Sequence, residues 1–240
     1  MTGDAFQRYA GRVYQNQGNP ELVQKIRCAK GRLLDVGCGA GDNARLLREV
    51  WPEVDVMGVT ASSHECSVAK QYMSKCIVAD IEHELPSGLL ANKFDCIIFS
   101  HILEHVRDPH IVLARFLRLV QEGGQVLIAV PNIAFFRSRW PLVCGRFEYT
   151  TSGVFDETHL RFFTYYTADQ VILRDISDLL LVEKGVSGSV PLWFLRRHIF
   201  PQAFCRWLDA IGCRVAPNLF GGQIILDLKK RKRLESETQR

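Results

Sequence analysis

From residue 31 onward the chain repeats one unit: a short apolar run, a turn, then a segment with apolar residues at helical spacing. Arg32–Val36 is such a run and ends in glycines, and Val54–Val59, Cys76–Ala79 and Phe94–Ser100 follow it. Between them, Asn43–Val50 places Ala44, Leu47 and Val50 on one side of a helix, and Ser62–Met73 opens with hydroxyl residues able to cap one. Asp108–Val120 reads as an amphipathic helix stopped at Gly123–Gly124, and Gln125–Val130 as a fifth strand closed by Pro131. Strands that alternate with helices require long crossovers, so the expectation is an α/β fold with a doubly wound, mostly parallel sheet covered on both faces.

The second half is less regular. Asn132–Val143 is expected to be helical, residues 144–163 to form a long loop, and Thr167-Ala-Asp-Gln170 to cap a helix reaching about Ser177. Asp178–Gly185 and Gln223–Leu228 read as the last two strands, with a helical insert over 188–215. We therefore expect a single domain over 1–228, with an N-terminal helical cap over 1–30 and a basic, solvated tail over 229–240. The insert carries Trp and Phe among arginines, and Pro201 breaks it; a lid or a homodimer contact is expected of it rather than a membrane surface.

Charge narrows the partners. The net charge of +4 is held by the tail KKRKRLESETQR, so residues 1–228 sum to zero. A nucleic-acid enzyme carries a basic face on its folded body, and none is expected here. No apolar stretch approaches the roughly 20 residues that span a bilayer, which excludes integral membrane contact. The start, MTGDAFQRYAG, has neither the basic residues nor the apolar run of a signal peptide, so a cytoplasmic location is expected. None of the eight cysteines has a partner at zinc-knuckle spacing, and they read as reduced thiols.

In a doubly wound sheet the ligand sits beyond the carboxyl ends of the strands. The segment there, Leu33-Leu-Asp-Val-Gly-Cys-Gly-Ala-Gly41, offers a glycine turn followed by a helix N-terminus. Position 42 is Asp42, so the G-x-G-x-x-G of nicotinamide-cofactor proteins is not met.

LLDVGCGAG, VMGVTAS, VADIEHELP, FDCIIFSHILEHVRDP and GGQVLIAVPN, in that order over residues 30–132, resemble the successive motifs of class I S-adenosylmethionine-dependent methyltransferases. The stretch VPNIAFFRSRWPLVCGRFEYTTSGVFDETHLRFFT resembles a small-molecule subgroup associated with bacterial polysaccharide and secondary metabolism. More weakly, it is similar to an accessory protein of methionine biosynthesis. The resemblance implies a Rossmann-like sheet of seven strands, the last antiparallel, with S-adenosyl-L-methionine as cofactor.

Carried onto this chain, the resemblance puts Asp35, Gly37, Cys38, Gly39 and Gly41 around the methionine portion. Asp80 would accept from the adenine amino group beside Ile81, and Ser100 and His101 would floor the pocket near the sulfonium. Tyr14, with Tyr9, falls where related enzymes fold a helix over the cofactor. The family's second strand ends in an acid that binds both ribose hydroxyls. Thr60 stands there, followed by Ala61, and the hydroxyls of Thr60 and Ser62 are the substitutes at hand.

Methyl transfer needs alignment, exclusion of water and, for an oxygen acceptor, a base. His159, in the loop-rich half expected to cover the pocket, is the first candidate and His101 the second; His105 reads as structural. His101-Ile-Leu-Glu104-His105 is similar to the E-x-x-E-H string that quinone-biosynthesis O-methyltransferases link to a divalent cation, but its first carboxylate is replaced, and no metal is expected. The expected function is methyl transfer to an O or N atom of a small molecule. Two alternatives use the same frame: displacement within the cofactor that cyclises its aminobutyrate arm, and a non-catalytic partner protein.

Overall fold

Strand-forming runs become strands where both faces can be covered, and here they assemble into one seven-stranded sheet. The computed structural model describes residues 17–28, 30–83, 85–191 and 193–232. The expectations for Tyr9, Tyr14 and the end of the tail fall outside these residues. In chain order the elements are α1 (Pro20–Val23), β1 (Arg32–Val36), α2 (Asp42–Val50), β2 (Asp55–Thr60), α3 (Ser63–Ala69), β3 (Lys75–Val78), α4 (Ser87–Leu90) and β4 (Phe94–Ser100). They continue with α5 (Pro109–Leu117), β5 (Val120–Pro131), α6 (Phe136–Val143), α7 (Ala168–Ile172), β6 (Leu179–Gly188), α8 (Trp193–His198), α9 (Gln202–Val215), α10 (Pro217–Phe220) and β7 (Gly221–Lys230).

The strand order is β3-β2-β1-β4-β5-β7-β6. β1 pairs in parallel with β2 on one side and β4 on the other, so the winding reverses at β1 and opens a crevice at the carboxyl ends. β7 runs antiparallel between β5 and β6, the arrangement that the family resemblance implies. The two-residue side-chain period sorts the core. Ile97 and Phe99 of β4 join Leu34, Val36, Val59 and Phe116 on one face, while Cys96 and Ile98 join Leu33, Val56 and Leu47 on the other. Each such side chain contributes about 1.5–3 kcal/mol by leaving water.

Two local readings of the sequence are corrected. Gly123–Gly124 does not separate a helix from a strand: β5 begins at Val120, and the register slips between Phe94 and Cys96 of its neighbour. The glycines form this bulge, with Gly123 at φ +75. The Thr167 capping box does not form either. The Thr167 hydroxyl accepts from the Thr164 N–H, and α7 stops after Ile172. Between β6 and β7 lie α8, α9 and α10, with Pro201 at the start of α9 rather than inside a helix. Among the described residues no helix is long and apolar enough to cross a membrane.

Candidate active site

A cavity of about 500 Å³ opens where the winding reverses. Its floor is the turn after β1. Gly37 and Cys38 both donate their N–H to the Val59 carbonyl, at 2.8 and 2.9 Å, which folds the chain sharply at Gly37 (φ +79) and Gly39 (φ +51). A Cβ on Gly37 would meet the Ile102 side chain at 2.5 Å, whereas one on Gly39 would meet only Glu65 Oε1, at 3.9 Å. The first glycine is thus required by packing; the second keeps the cavity clear for a ligand that approaches the backbone.

Gly37, Gly39, Thr60, Ala61, Asp80, Ile81, Ser100, His101 and His159 all line this cavity. Asp35, Cys38 and Gly41 do not. The pleat turns Asp35 beneath α2, where it is fully buried, accepts from Asn43 Nδ2 at 3.3 Å, and leaves Oδ1 without a partner. Burial raises its pKa to about 7. The Cys38 side chain lies behind the turn, 3.8 Å from Cys76 Sγ. Gly41, at the start of α2, serves packing: a Cβ there would sit 3.0 Å from Ala69 Cα.

Glu65 is the wall residue the sequence reading missed. It is three residues into the turn capped by Ser62, whose Oγ accepts its N–H. In a capping box its carboxylate would reach back to the cap N–H. Here it takes the Thr60 hydroxyl at 2.8 Å, so a buried carboxylate stands beside Gly39 at the place where the strand itself ends in threonine. The Ser62-x-x-Glu65 spacing was the only signal in the sequence. At the far side, Asp80 turns the chain by accepting from Glu82 N–H at 2.8 Å and pairs with His83.

Opposite the glycine turn, β4 is followed by His101, held in the left-handed region at φ +53, a costly conformation for a residue with a Cβ. Its Nδ1 faces Glu104 Oε1 at 3.3 Å and its Nε2 faces Gln223 Oε1 at 3.0 Å. The Gln223 amide nitrogen is committed to Ser187 and Asn19, which fixes its oxygen toward the histidine. Burial opposes charge on His101, but the hydrogen bond and charge of Glu104 outweigh it and raise the pKa. Acceptors face both ring nitrogens of His101, an arrangement that favours its protonated form. Burial would likewise raise Glu104; His101 and His105 overcome this and hold the carboxyl below its usual range.

The loop after α6 is stitched to this strand end, because Leu160 and Arg161 both donate their N–H to the Glu104 carbonyl, at 2.8 and 3.0 Å. That brings His159 to His105, with ring centres 4.7 Å apart. The Thr158 hydroxyl donates to Asp156 at 2.6 Å, so it accepts from His105 Nδ1 at 3.0 Å. Burial lowers the His105 pKa, against the opposing charge of Glu104. His159 Nδ1 lies 2.9 Å from the Val154 carbonyl, which can only accept. Nδ1 therefore carries a proton, and in the neutral form of the ring it is Nε2 that has the lone pair. Glu104, His105 and His159 each offer one ligand atom within 4.8 Å of the others, close enough to hold a metal ion.

The comparisons agree with this architecture. A family model described as a methyltransferase domain matches residues 6–217. Over 115 residues the chain is 30% identical to a trans-aconitate 2-methyltransferase of Rhodopseudomonas palustris, covering 47% of this chain and 43% of that protein. It is 32% identical over 122 residues to a ubiquinone biosynthesis O-methyltransferase of Dechloromonas aromatica, covering 46% and 49%. The chain thus spans about half the length of the curated relatives it matches. A methyltransferase structure from Archaeoglobus fulgidus superposes with a TM-score of 0.58 at 18% identity, over 88% of this chain and 91% of that one. The sheet order, the reversed β7 and the glycine turn define a class I S-adenosylmethionine-dependent methyltransferase frame. The chain belongs to the methyltransferase-domain family.

Proposed function

We propose that this protein transfers the methyl group of S-adenosylmethionine to an oxygen atom of a small molecule, with His159 as the base. The observation that carries the reading is the His159 tautomer: Nδ1 is spent on the Val154 carbonyl, so the basic Nε2 is left for a ligand in the cavity that His159 lines. The fit of the cofactor rests on the open side of Gly39, on the buried Glu65 carboxylate beside Thr60, and on Asp80 across the cavity. Glu65, oriented by the Thr60 hydroxyl, would accept from the ribose hydroxyls, and Asp80 would accept from the adenine amino group. When bound, the cofactor supplies an activated methyl group.

The bound cofactor would supply its methyl group to the acceptor oxygen and leave as S-adenosylhomocysteine. The acceptor's proton passes to His159 Nε2. The ionised Glu104 carboxylate, within 4.8 Å, steadies the imidazolium that forms. A relative named as an O-methyltransferase supports an oxygen acceptor over a nitrogen one. Small-molecule acceptors and a cytoplasmic location complete the reading.

The test measures S-adenosylhomocysteine release over a panel of phenolic, carboxylic and sugar acceptors, for the wild type and His159→Ala. Cofactor affinity and melting temperature should hold while turnover falls at least ~100-fold, the low end for loss of a general base. Near-normal turnover removes the base assignment. Methylthioadenosine released with no acceptor present would overturn methyl transfer in favour of cyclisation.

A further inference from the structure

The chain's positive charge and its exposed apolar surface coincide in two segments whose residues do not line the cavity. Residues 136–149 and 193–215 contain seven arginines and no lysine against Glu148 and Asp209, a local excess of +5 in a chain of net charge +4. The two segments meet: α6 and α8 share a cleft lined by Phe136, Arg137, Val190, Arg196 and Arg197. Asp209 is already bound by both Arg196 nitrogens, at 2.5 and 2.7 Å, so it neutralises little else.

The apolar side chains here are turned outward. Trp140 is 73% exposed, Val143 80%, Trp207 56% and Val215 77%. On α9 the 3.6-residue turn puts Phe204, Trp207, Ile211 and Val215 in a stripe roughly 80° wide. Cys205 and Gly212, on another side of the helix, are the residues it buries. Phe204 and Trp207 stack at 5.5 Å. The helix therefore has one apolar face for the protein and a second for something outside it.

We propose that this face docks on an anionic lipid surface. Arginines flanking an outward aromatic stripe match the two requirements of an interfacial helix, which are phosphate contact at headgroup depth and apolar insertion below it. A second copy fits less well. A two-fold interface would set this +5 face against itself, with Glu148 as its only carboxylate not already paired within the face. A nucleic acid would find arginines and aromatic rings, but no use for the exposed Val143, Ile199, Ile211 and Val215. The proposal goes beyond the methyl-transfer reading and stands without it.

Flotation of the full chain with vesicles tests it, using phosphatidylcholine alone and phosphatidylcholine with 30 mol% phosphatidylglycerol. Binding at least ~10-fold tighter to the anionic vesicles is expected, weakening as salt rises. Trp207→Glu and Arg206→Glu/Arg214→Glu should each lose at least ~10-fold while the melting temperature holds, since these side chains are exposed. Equal or absent binding to both vesicle types overturns the proposal. So does a dimer in sedimentation that Trp207→Glu dissolves, or tight binding of single-stranded RNA without vesicle binding.

Discussion

Removing the Glu65 carboxylate should weaken the cofactor without unfolding the protein. Glu65 is buried at the start of α3 and accepts the Thr60 hydroxyl at 2.8 Å. Hydrogen bonds to a charged acceptor are worth about 1.5–3 kcal/mol, so Glu65→Ala should raise the Kd for S-adenosylhomocysteine roughly 10- to 150-fold. Glu65→Gln keeps the volume and one acceptor oxygen but loses the charge. It should cost about half as much, since charge-assisted bonds are roughly twice as strong as neutral ones. Thr60→Val keeps the β-branched shape that suits β2 and removes only the hydroxyl that aims Glu65, for about 0.5–1.5 kcal/mol. If Thr60 acts through Glu65, Thr60→Val should cost little once Glu65 is alanine, which a double-mutant cycle reads directly. Isothermal titration calorimetry with a parallel melting curve decides the matter. Unchanged affinity in folded Glu65→Ala would refute the ribose assignment, and additive losses would refute the aiming role of Thr60.

Gly39→Val meets open space and should fold, with some stability lost to a β-branched residue at φ +51, yet bind the cofactor at least ~10-fold more weakly; Gly37→Val should not fold, because its Cβ would overlap Ile102. Equal stability of the two variants would contradict the division of labour between these glycines. Asp35 gives a pH signature in the cofactor-free protein. Its folded pKa of about 7 lies above its ordinary 3.8, so the folded state holds a proton that the unfolded chain has released. Stability from this group is full below about pH 4 and is lost as pH rises toward 7, by about 4 kcal/mol. The stability of Asp35→Asn relative to wild type should therefore climb across pH 4–7, and a flat difference in denaturant titrations would show that Asp35 is ionised in the fold.

The parts of the fold that were legible are those where one local pattern suffices. The apolar runs of β1, β2 and β4 are covered on both faces, and burial at successive positions writes itself as a continuous run. Boundaries failed where one residue type serves two purposes. Gly123 supports a helix stop and a bulge equally well, and only the pairing of Val120 with Phe94 selects the bulge. Thr167 can cap a helix or take the Thr164 N–H, and the contact one turn back wins.

Within the site, turn chemistry was readable and side-chain direction was not. Gly37 and Gly39 follow from the need for positive φ, but Asp35 shares their motif and points the other way, because a strand alternates its faces. The histidines show why composition cannot assign a base. His101, His105 and His159 are the same side chain in one cavity wall, separated only by their partners: a carboxylate with a glutamine oxygen, a threonine hydroxyl, and a backbone carbonyl. The first set favours a cation. The second orients a buried ring by way of Asp156, and the third commits Nδ1 and turns Nε2 away from the backbone. These partners are brought in by Gln223, Thr158 and Val154; the first two lie more than fifty residues from the histidines they orient, and only the last is local. The choice of base is thus a property of how the 144–163 loop is stitched to the end of β4 by the Glu104 carbonyl, and not of the histidine-bearing motif itself.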